Sequence, residues 1–384
     1  EEKKLWEHVV TVDRLAWEER EGIKKVNKTS SDEDFVRRIY LDITGKIPTY
    51  DQMLAFRKAK GVTTRKQLIE DLLDSAGYVS NFSNFWLDLL RNPYRDPEGF
   101  NHKEFTRYVE RFLHENKTYD KIVYDFVTAE GMLQLNPAVG FFTRDKETGP
   151  MDTVNATVRA FLGTRMGCAQ CHNHRFDKWT QKDFYETAAH LWGVGYGESF
   201  SRRDDAFNFH KGKLKADSRY DKSLFGAYSG HLLNPSRAAV QFNYKSNLTY
   251  PENYAYTNAK PKSAVTERIV FGYGDEKVEG KNKREIFAKW MTSKNNTTFS
   301  KIMANRLWKR VMGVAVMEPT DDWKDNITIQ NPKLFEALGA IFIDLDYDFK
   351  AFLSVVFNSE AYQYAIDVKN DFDKDDYKIQ GATI

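Results

Sequence analysis

Apolar residues in this chain recur at helical spacing, in short blocks opened by capping residues and closed by glycine, and that pattern limits the fold more than any other feature. Phe35, Val36, Ile39, Tyr40 and Ile43 form one stripe behind the cap pair Ser31 and Asp34 and ahead of Gly45. Thr49 to Gln52 repeats the capping pattern, and Leu68, Ile69, Leu72 and Leu73 give a helix after Thr64 its apolar face. Residues 81–91 and 103–130 continue in the same style. Val154, Val158, Phe161 and Leu162 predict a helix over about 151–166, and a further helix is expected over about 180–191. Helical patterning resumes near Arg284, with Phe299, Ile302, Met303, Leu307 and Val311 on a stripe that ends at Gly313, then about 332–343 and 349–361.

Between these blocks, residues 193–263 lose the periodicity and fill with Gly, Asn, Ser and scattered tyrosines: Tyr196, Tyr220, Tyr228, Tyr244, Tyr250, Tyr254 and Tyr256. The expected fold is mainly α: a multi-helical, two-domain protein with little β. Residues 1–192 form the N-terminal helical domain, 193–263 a long irregular insertion, and 264–384 the C-terminal helical domain. Insertions of that length in compact proteins usually serve function or move. The tail from Asp367 onward is charged and expected to fray.

Charge and hydropathy exclude several classes. The chain carries 57 basic and 55 acidic side chains, interspersed, for a net charge of +2, which argues against nucleic acid as the main partner. A mean hydropathy of −0.63, with no apolar run of 18 residues, predicts no membrane span. The sequence opens Glu1-Glu2-Lys3-Lys4 without the basic-then-apolar start of an export signal, as expected of a cytosolic chain or of an exported one already trimmed.

Only two cysteines are present, Cys168 and Cys171, too few for a disulfide framework and only three positions apart. They sit in Cys168-Ala169-Gln170-Cys171-His172, the attachment sequence for a c-type haem. In such a site both thiols form thioethers to the porphyrin, and the adjoining His172 becomes the proximal iron ligand. A turn of helix would place both sulfurs along one edge of the macrocycle. Alternatives stay open at this point. Zinc would draw on Cys168, Cys171, His172 or His174, crowding four ligands into seven residues. A thioredoxin-like redox pair would want a preceding βαβ pattern, where a helix is expected instead, and bare thiols or a disulfide complete the alternatives. Haem attachment of this kind takes place outside the cytoplasm, so a periplasmic or secreted protein is expected.

Three stretches carry a resemblance. They are Phe35-Val36-Arg37-Arg38-Ile39-Tyr40-Leu41-Asp42-Ile43-Thr44-Gly45-Lys46-Ile47-Pro48-Thr49; Phe161-Leu162-Gly163 through Cys168 to Trp179; and Asn305-Arg306-Leu307-Trp308 through Gly313 to Glu318-Pro319-Thr320-Asp321-Asp322. With them the chain resembles the planctomycete-type cytochrome family, whose members pair two domains of uncharacterised function and abound in secreted proteins. The resemblance implies that domain pairing and one covalent haem c, without specifying a reaction. The family usually has Pro where this chain has Arg175, and an aromatic residue near the position of His190.

Several further side chains are candidates. For the sixth iron position these are His190, Met151, Met132 and Met166, each of which also reads as ordinary core or hydrogen-bonded filler. His174 is expected beside the proximal ligand or a haem propionate. Arg165, Arg144, Arg159 and Arg175 suit propionates, although solvated helix-face arginines are the plainer reading. Asp321 and Asp322 invite an acid/base role but read better as part of a capped turn with Pro319, alongside Asn305, Arg306, Trp308 and Glu318.

Three functions follow. One is a monohaem oxidoreductase with a substrate or small-ligand site at the haem, since a simple carrier needs only ~100 residues around its haem. The alternatives are an electron-transfer cytochrome that docks a redox partner protein, and an extracellular glycan-associated binding protein.

Overall fold

A computed structural model describes residues 2–18, 28–59, 62–91, 103–144, 149–196, 239–272, 278–324 and 326–365. Tyr220, Tyr228 and the charged tail from Asp367 lie outside these residues, as does most of the 193–263 insertion.

Ten helices precede the insertion: α1 (Glu2–Glu18), α2 (Asp32–Thr44), α3 (Tyr50–Lys58), α4 (Val62–Leu73), α5 (Ala76–Leu89), α6 (Lys103–His114), α7 (Tyr119–Thr128), the short α8 (Gly140–Thr143), α9 (Pro150–Leu162) and α10 (Gln181–Leu191). Five follow it: α11 (Lys283–Met291), α12 (Thr297–Met312), α13 (Pro332–Asp344), α14 (Phe349–Asn358) and α15 (Glu360–Gln363). The protein is mainly α, as the periodicity predicts. Among the described residues the little β is one antiparallel sheet of β1 (Gly131–Met132), β2 (Val194–Tyr196) and β3 (Ala239–Phe242), in the order β1-β3-β2, with isolated bridges at Thr29–Tyr364 and Thr249–Ala264. Both β2 and β3 come from the segment expected to be irregular.

Local chemistry explains the boundaries. Ser31 Oγ accepts from the Asp34 N–H at the start of α2, and Thr49 with Gln52 closes a reciprocal capping box on α3. Gly45, Gly163 and Gly313 end α2, α9 and α12 in the left-handed conformation. The helix expected over 349–361 instead breaks at Ser359, whose extended backbone caps α15.

One continuous apolar core runs through both helical segments. The N-terminal α1 packs on α13 and α14 near the other end of the chain, α7 packs on α11, and α9 packs on α12. A cluster of rings stacks at the centre. Tyr119 lies 4.2 Å from Phe299 and 5.8 Å from both Phe342 and Phe349, so residues far apart in sequence share one desolvated centre. Among the described residues no helix is long and apolar enough to cross a membrane.

Candidate functional site

Helix α9 leads into the cysteine turn, and its exit is held by the C-terminal half of the chain. Gly163 caps it at φ 61°, and a Cβ there would meet Ile302 Cδ1 of α12 at 2.5 Å. Arg306, buried on α12, donates to the carbonyls of Ala160 and, at 2.9 Å, Arg159, two of the acceptors that a helix end leaves without partners. Trp323 N–H donates to Gly163 O at 2.7 Å. Asp321 receives Arg165 at 2.8 Å on one carboxylate oxygen and Arg159 Nε at 2.6 Å on the other. Burial pushes the Asp321 carboxyl up, but the hydrogen bonds and charges of the two arginines outweigh it and hold the group below its ordinary value. Asn305, fully buried, accepts from Val316 N–H and Met317 N–H and donates to Met317 O. Glu318 pairs with Lys309, Asp322 with Lys324, and Trp308 is buried. Arg306 and Asp321 of the third resembling stretch therefore brace the end of α9, while Asn305, Glu318 and Asp322 bond within the C-terminal segment, where Asp322 N–H closes a turn on Pro319 O.

Beyond Gly163 the chain makes a 3-10 turn, Gly167–Gln170, in place of the expected α-helical turn. Ala169 is fully buried and anchors it, whereas Cys168, Cys171 and His172 are all exposed and both thiols are free. The amides of Cys171 and His172 both donate to Cys168 O at 3.3 Å. Gln181, the first residue of α10 and only 3% exposed, donates its side-chain amide to Gln170 O and Cys171 O at 3.1 and 3.2 Å. It clamps the turn from beneath.

The imidazole of His172 has a defined polarity. Its Nδ1 lies 2.8 Å from Asn173 O, which can only accept, so in the neutral ring Nδ1 carries the proton and Nε2 keeps its lone pair. Asn173 in turn donates its N–H to Tyr256 OH at 2.8 Å and accepts Gln181 N–H on Oδ1 at 2.9 Å. His174 is tied into the next loop: its N–H donates to Trp179 O at 2.8 Å and its Nδ1 accepts from Phe176 N–H at 3.1 Å. Phe176 itself is 81% exposed.

A wall of tyrosines stands beside the turn. Tyr185 on α10, Tyr250, Tyr254 and Tyr256 follow one another with ring centroids 5.7, 4.9 and 5.6 Å apart. Burial, with Cys171 close by, holds the Tyr185 phenol above its usual range, and burial with Glu186 nearby pushes Tyr250 up to about 12. Both therefore stay protonated at neutral pH. Part of the 193–263 segment is thus packed against the cysteine turn.

The remaining candidates are dispersed. Arg144 donates to Leu90 O at 2.6 Å and lies over Phe141, away from the turn. Arg165 and Arg159 are engaged by Asp321, and Arg175 is exposed. His190 is 2% exposed in the last turn of α10, nine residues or about 14 Å along the helix from Gln181. Its Nδ1 meets Lys283 O at 3.0 Å and its ring stacks on Phe287. Met132 lies in β1, and Met166 is buried just ahead of the turn. Met151 is half-buried one helical turn before Asn155, whose amide lies 3.8 Å from where a Gly167 Cβ would be. It is the sixth-ligand candidate whose helix face leads to the turn.

Sequence reading missed Asn173, Gln181, Tyr185 and Tyr256. Asn173 and Gln181 had a visible signal, since an amide beside the motif and a polar residue at a helix start are positions that bind backbone. Tyr256 had none, because 83 residues separate it from its partner.

Among the described residues no group of three or more His, Cys, Asp or Glu is placed to hold a metal ion by itself. Two free thiols and one imidazole nitrogen with an available lone pair remain, and that donor set fits a covalently attached haem, which needs one protein ligand at this turn.

Comparison with known families places two matches on this architecture. Residues 12–195 match the PSCyt2 model, "Protein of unknown function (DUF1549)", and residues 283–380 match PSD1, "Protein of unknown function (DUF1553)". Both are planctomycete cytochrome-associated domains of unknown function. The first takes in α9, the cysteine turn and α10; the second takes in Arg306 and Asp321, which brace them. No curated protein and no solved structure matches the chain.

Proposed function

We propose that this chain is an exported c-type haem protein, a monohaem oxidoreductase whose haem sits at the protein surface. Cys168 and Cys171 hold the group through thioethers and His172 Nε2 ligates the iron. The observation that carries this reading is the exposed Cys168-to-His172 turn, with its imidazole proton committed to Asn173 O and its Nε2 available. The zinc reading finds no converging donor set among the described residues.

Bound haem supplies one-electron chemistry and, with its sixth position open, a place for a small ligand. The chain's own residues do the rest. Gln181 fixes the carbonyls of Gln170 and Cys171, Asn173 orients the imidazole, and the tyrosine wall presents aromatic surface beside the turn. His190 is buried at the far end of α10 with its Nδ1 on Lys283 O, which supports an open sixth position and hence the oxidoreductase reading over a carrier in which His190 is a second protein ligand. Met151 is the residue through which the electron-transfer alternative would operate.

The deciding experiment is expression in a periplasm competent for haem attachment, followed by absorption spectra of the oxidised and reduced protein with and without carbon monoxide. Covalent haem that survives acid extraction and binds carbon monoxide when reduced is expected. Protein that leaves the periplasm without haem overturns the reading. Covalent haem that binds no carbon monoxide replaces the oxidoreductase with the electron carrier.

A further inference from the structure

We propose that Tyr256 is a positioning residue for His172: acting through Asn173, it holds the imidazole in the orientation and tautomer that leave Nε2 available to a metal. That role serves the haem reading above, and its geometry is testable without haem.

Asn173 has a backbone N–H, a backbone carbonyl and a side-chain oxygen, and each has one assigned partner: Tyr256 OH at 2.8 Å, His172 Nδ1 at 2.8 Å and Gln181 N–H at 2.9 Å. The side-chain bond ties the residue to α10. The N–H bond ties it to Tyr256, and only with both made does the carbonyl stay in place to receive the imidazole proton. His172 is exposed, and the bond from its Nδ1 to the Asn173 carbonyl restrains its ring. A hydrogen bond of this kind from a ligand's second nitrogen sets ring orientation, tautomer and basicity.

Tyr256 is itself held firmly enough to act as an anchor. Its ring lies edge-on to Tyr254, which packs on Tyr250 and donates its hydroxyl to Asn258 at 2.6 Å. Tyr250 packs on Tyr185 of α10, and its N–H donates to Ser263 O at 3.0 Å. The wall thus begins and ends on the structure that carries the cysteine turn. This gives residues 250–256 of the tyrosine-rich segment a specific task.

The test uses the haem-free full chain, labelled with 15N histidine, at pH about 8, where an ordinary imidazole is neutral. The wild type is expected to show His172 mainly with Nδ1 protonated and Nε2 bare. Tyr256→Phe keeps the ring stack and removes the acceptor, and is expected to shift the tautomer ratio toward Nε2–H by roughly five-fold, the equilibrium equivalent of one ordinary hydrogen bond. Tyr254→Phe removes only the bond to Asn258 and is expected to leave His172 unchanged. A wild-type His172 already protonated on Nε2, or a Tyr256→Phe spectrum identical to wild type, overturns the proposal. Hydrogen exchange provides a readout that needs no variant: the Asn173 amide is expected to be protected at least ten-fold over an unstructured amide, and a free rate overturns the proposal equally. With haem attached, Tyr256→Phe is expected to raise the reduction potential, because a less polarised imidazole donates less to iron. A chain that takes up no haem refutes the haem reading and leaves the tautomer result standing.

Discussion

Replacing Gly163 by alanine tests whether the C-terminal helices hold the exit of α9. Gly163 has φ 61°, and for an L-residue that conformation costs about 1–2 kcal/mol. The added Cβ would also lie 2.5, 3.0 and 3.3 Å from three carbons of Ile302. Ile302 is fully buried in α12, and a β-branched side chain in a helix has one strongly preferred χ1, so it cannot swing aside. Overpacking of that kind costs about 1–3 kcal/mol more. The expected loss is about 2–5 kcal/mol. With an unfolding entropy near 2.1 cal/mol/K per residue, that corresponds to a melting temperature lower by about 3–6 °C. Gly313→Ala is the matched control. It too sits at positive φ, 82°, but a Cβ there meets nothing within 4 Å, so only the backbone cost of about 1–2 kcal/mol applies. Guanidinium unfolding of both variants, read by circular dichroism, gives the difference directly. Equal destabilisation by the two substitutions would refute the close contact between α9 and α12.

Three further predictions follow from the same geometry. Cys168→Ala and Cys171→Ala are expected to abolish two-point haem attachment while moving the haem-free stability by less than about 0.5 kcal/mol, because both side chains are exposed; a haem stain on denaturing gels and a thermal melt read the two effects. Asp321→Asn removes the partner of two half-exposed arginines and is expected to cost about 1 kcal/mol at neutral pH. The Asp321 carboxyl is depressed in the fold, so its contribution is present above the ordinary carboxylate range and disappears as pH falls through the folded value; melts of the two proteins are expected to converge as the pH is taken below the ordinary carboxylate range. Asp13 is the opposite case: burial raises it to about 6 from 3.8, so the folded state binds the extra proton and stability falls as pH rises from about 4 to 6. Asp13→Asn is expected to flatten that slope and to melt higher than wild type at pH 7, as a pH series of melting curves would show.

The helices and the chemical motif were legible because both are local. Ser31, Thr49, Gly45 and Gly313 act on backbone within four residues, so their effects can be read from spacing alone. Cys168, Cys171 and His172 are likewise adjacent, and a donor set confined to one turn needs no fold to recognise it. The propionate roles considered for Arg144 and Arg165 were not decidable that way, since a guanidinium binds whichever acceptor the fold supplies: Leu90 O for one and Asp321 for the other. The bracing of α9 by Arg306, the seating of His190 on Lys283 and the bond from Asn173 to Tyr256 all join residues distant in sequence. Such contacts form only when burying the shared core offsets the entropy of bringing the segments together, and no local spacing encodes that balance. The motif of two cysteines and a histidine was therefore readable from the chain alone, while the exposure of the thiols and the seating of Asn173 on Tyr256 and Gln181 were decided by tertiary packing.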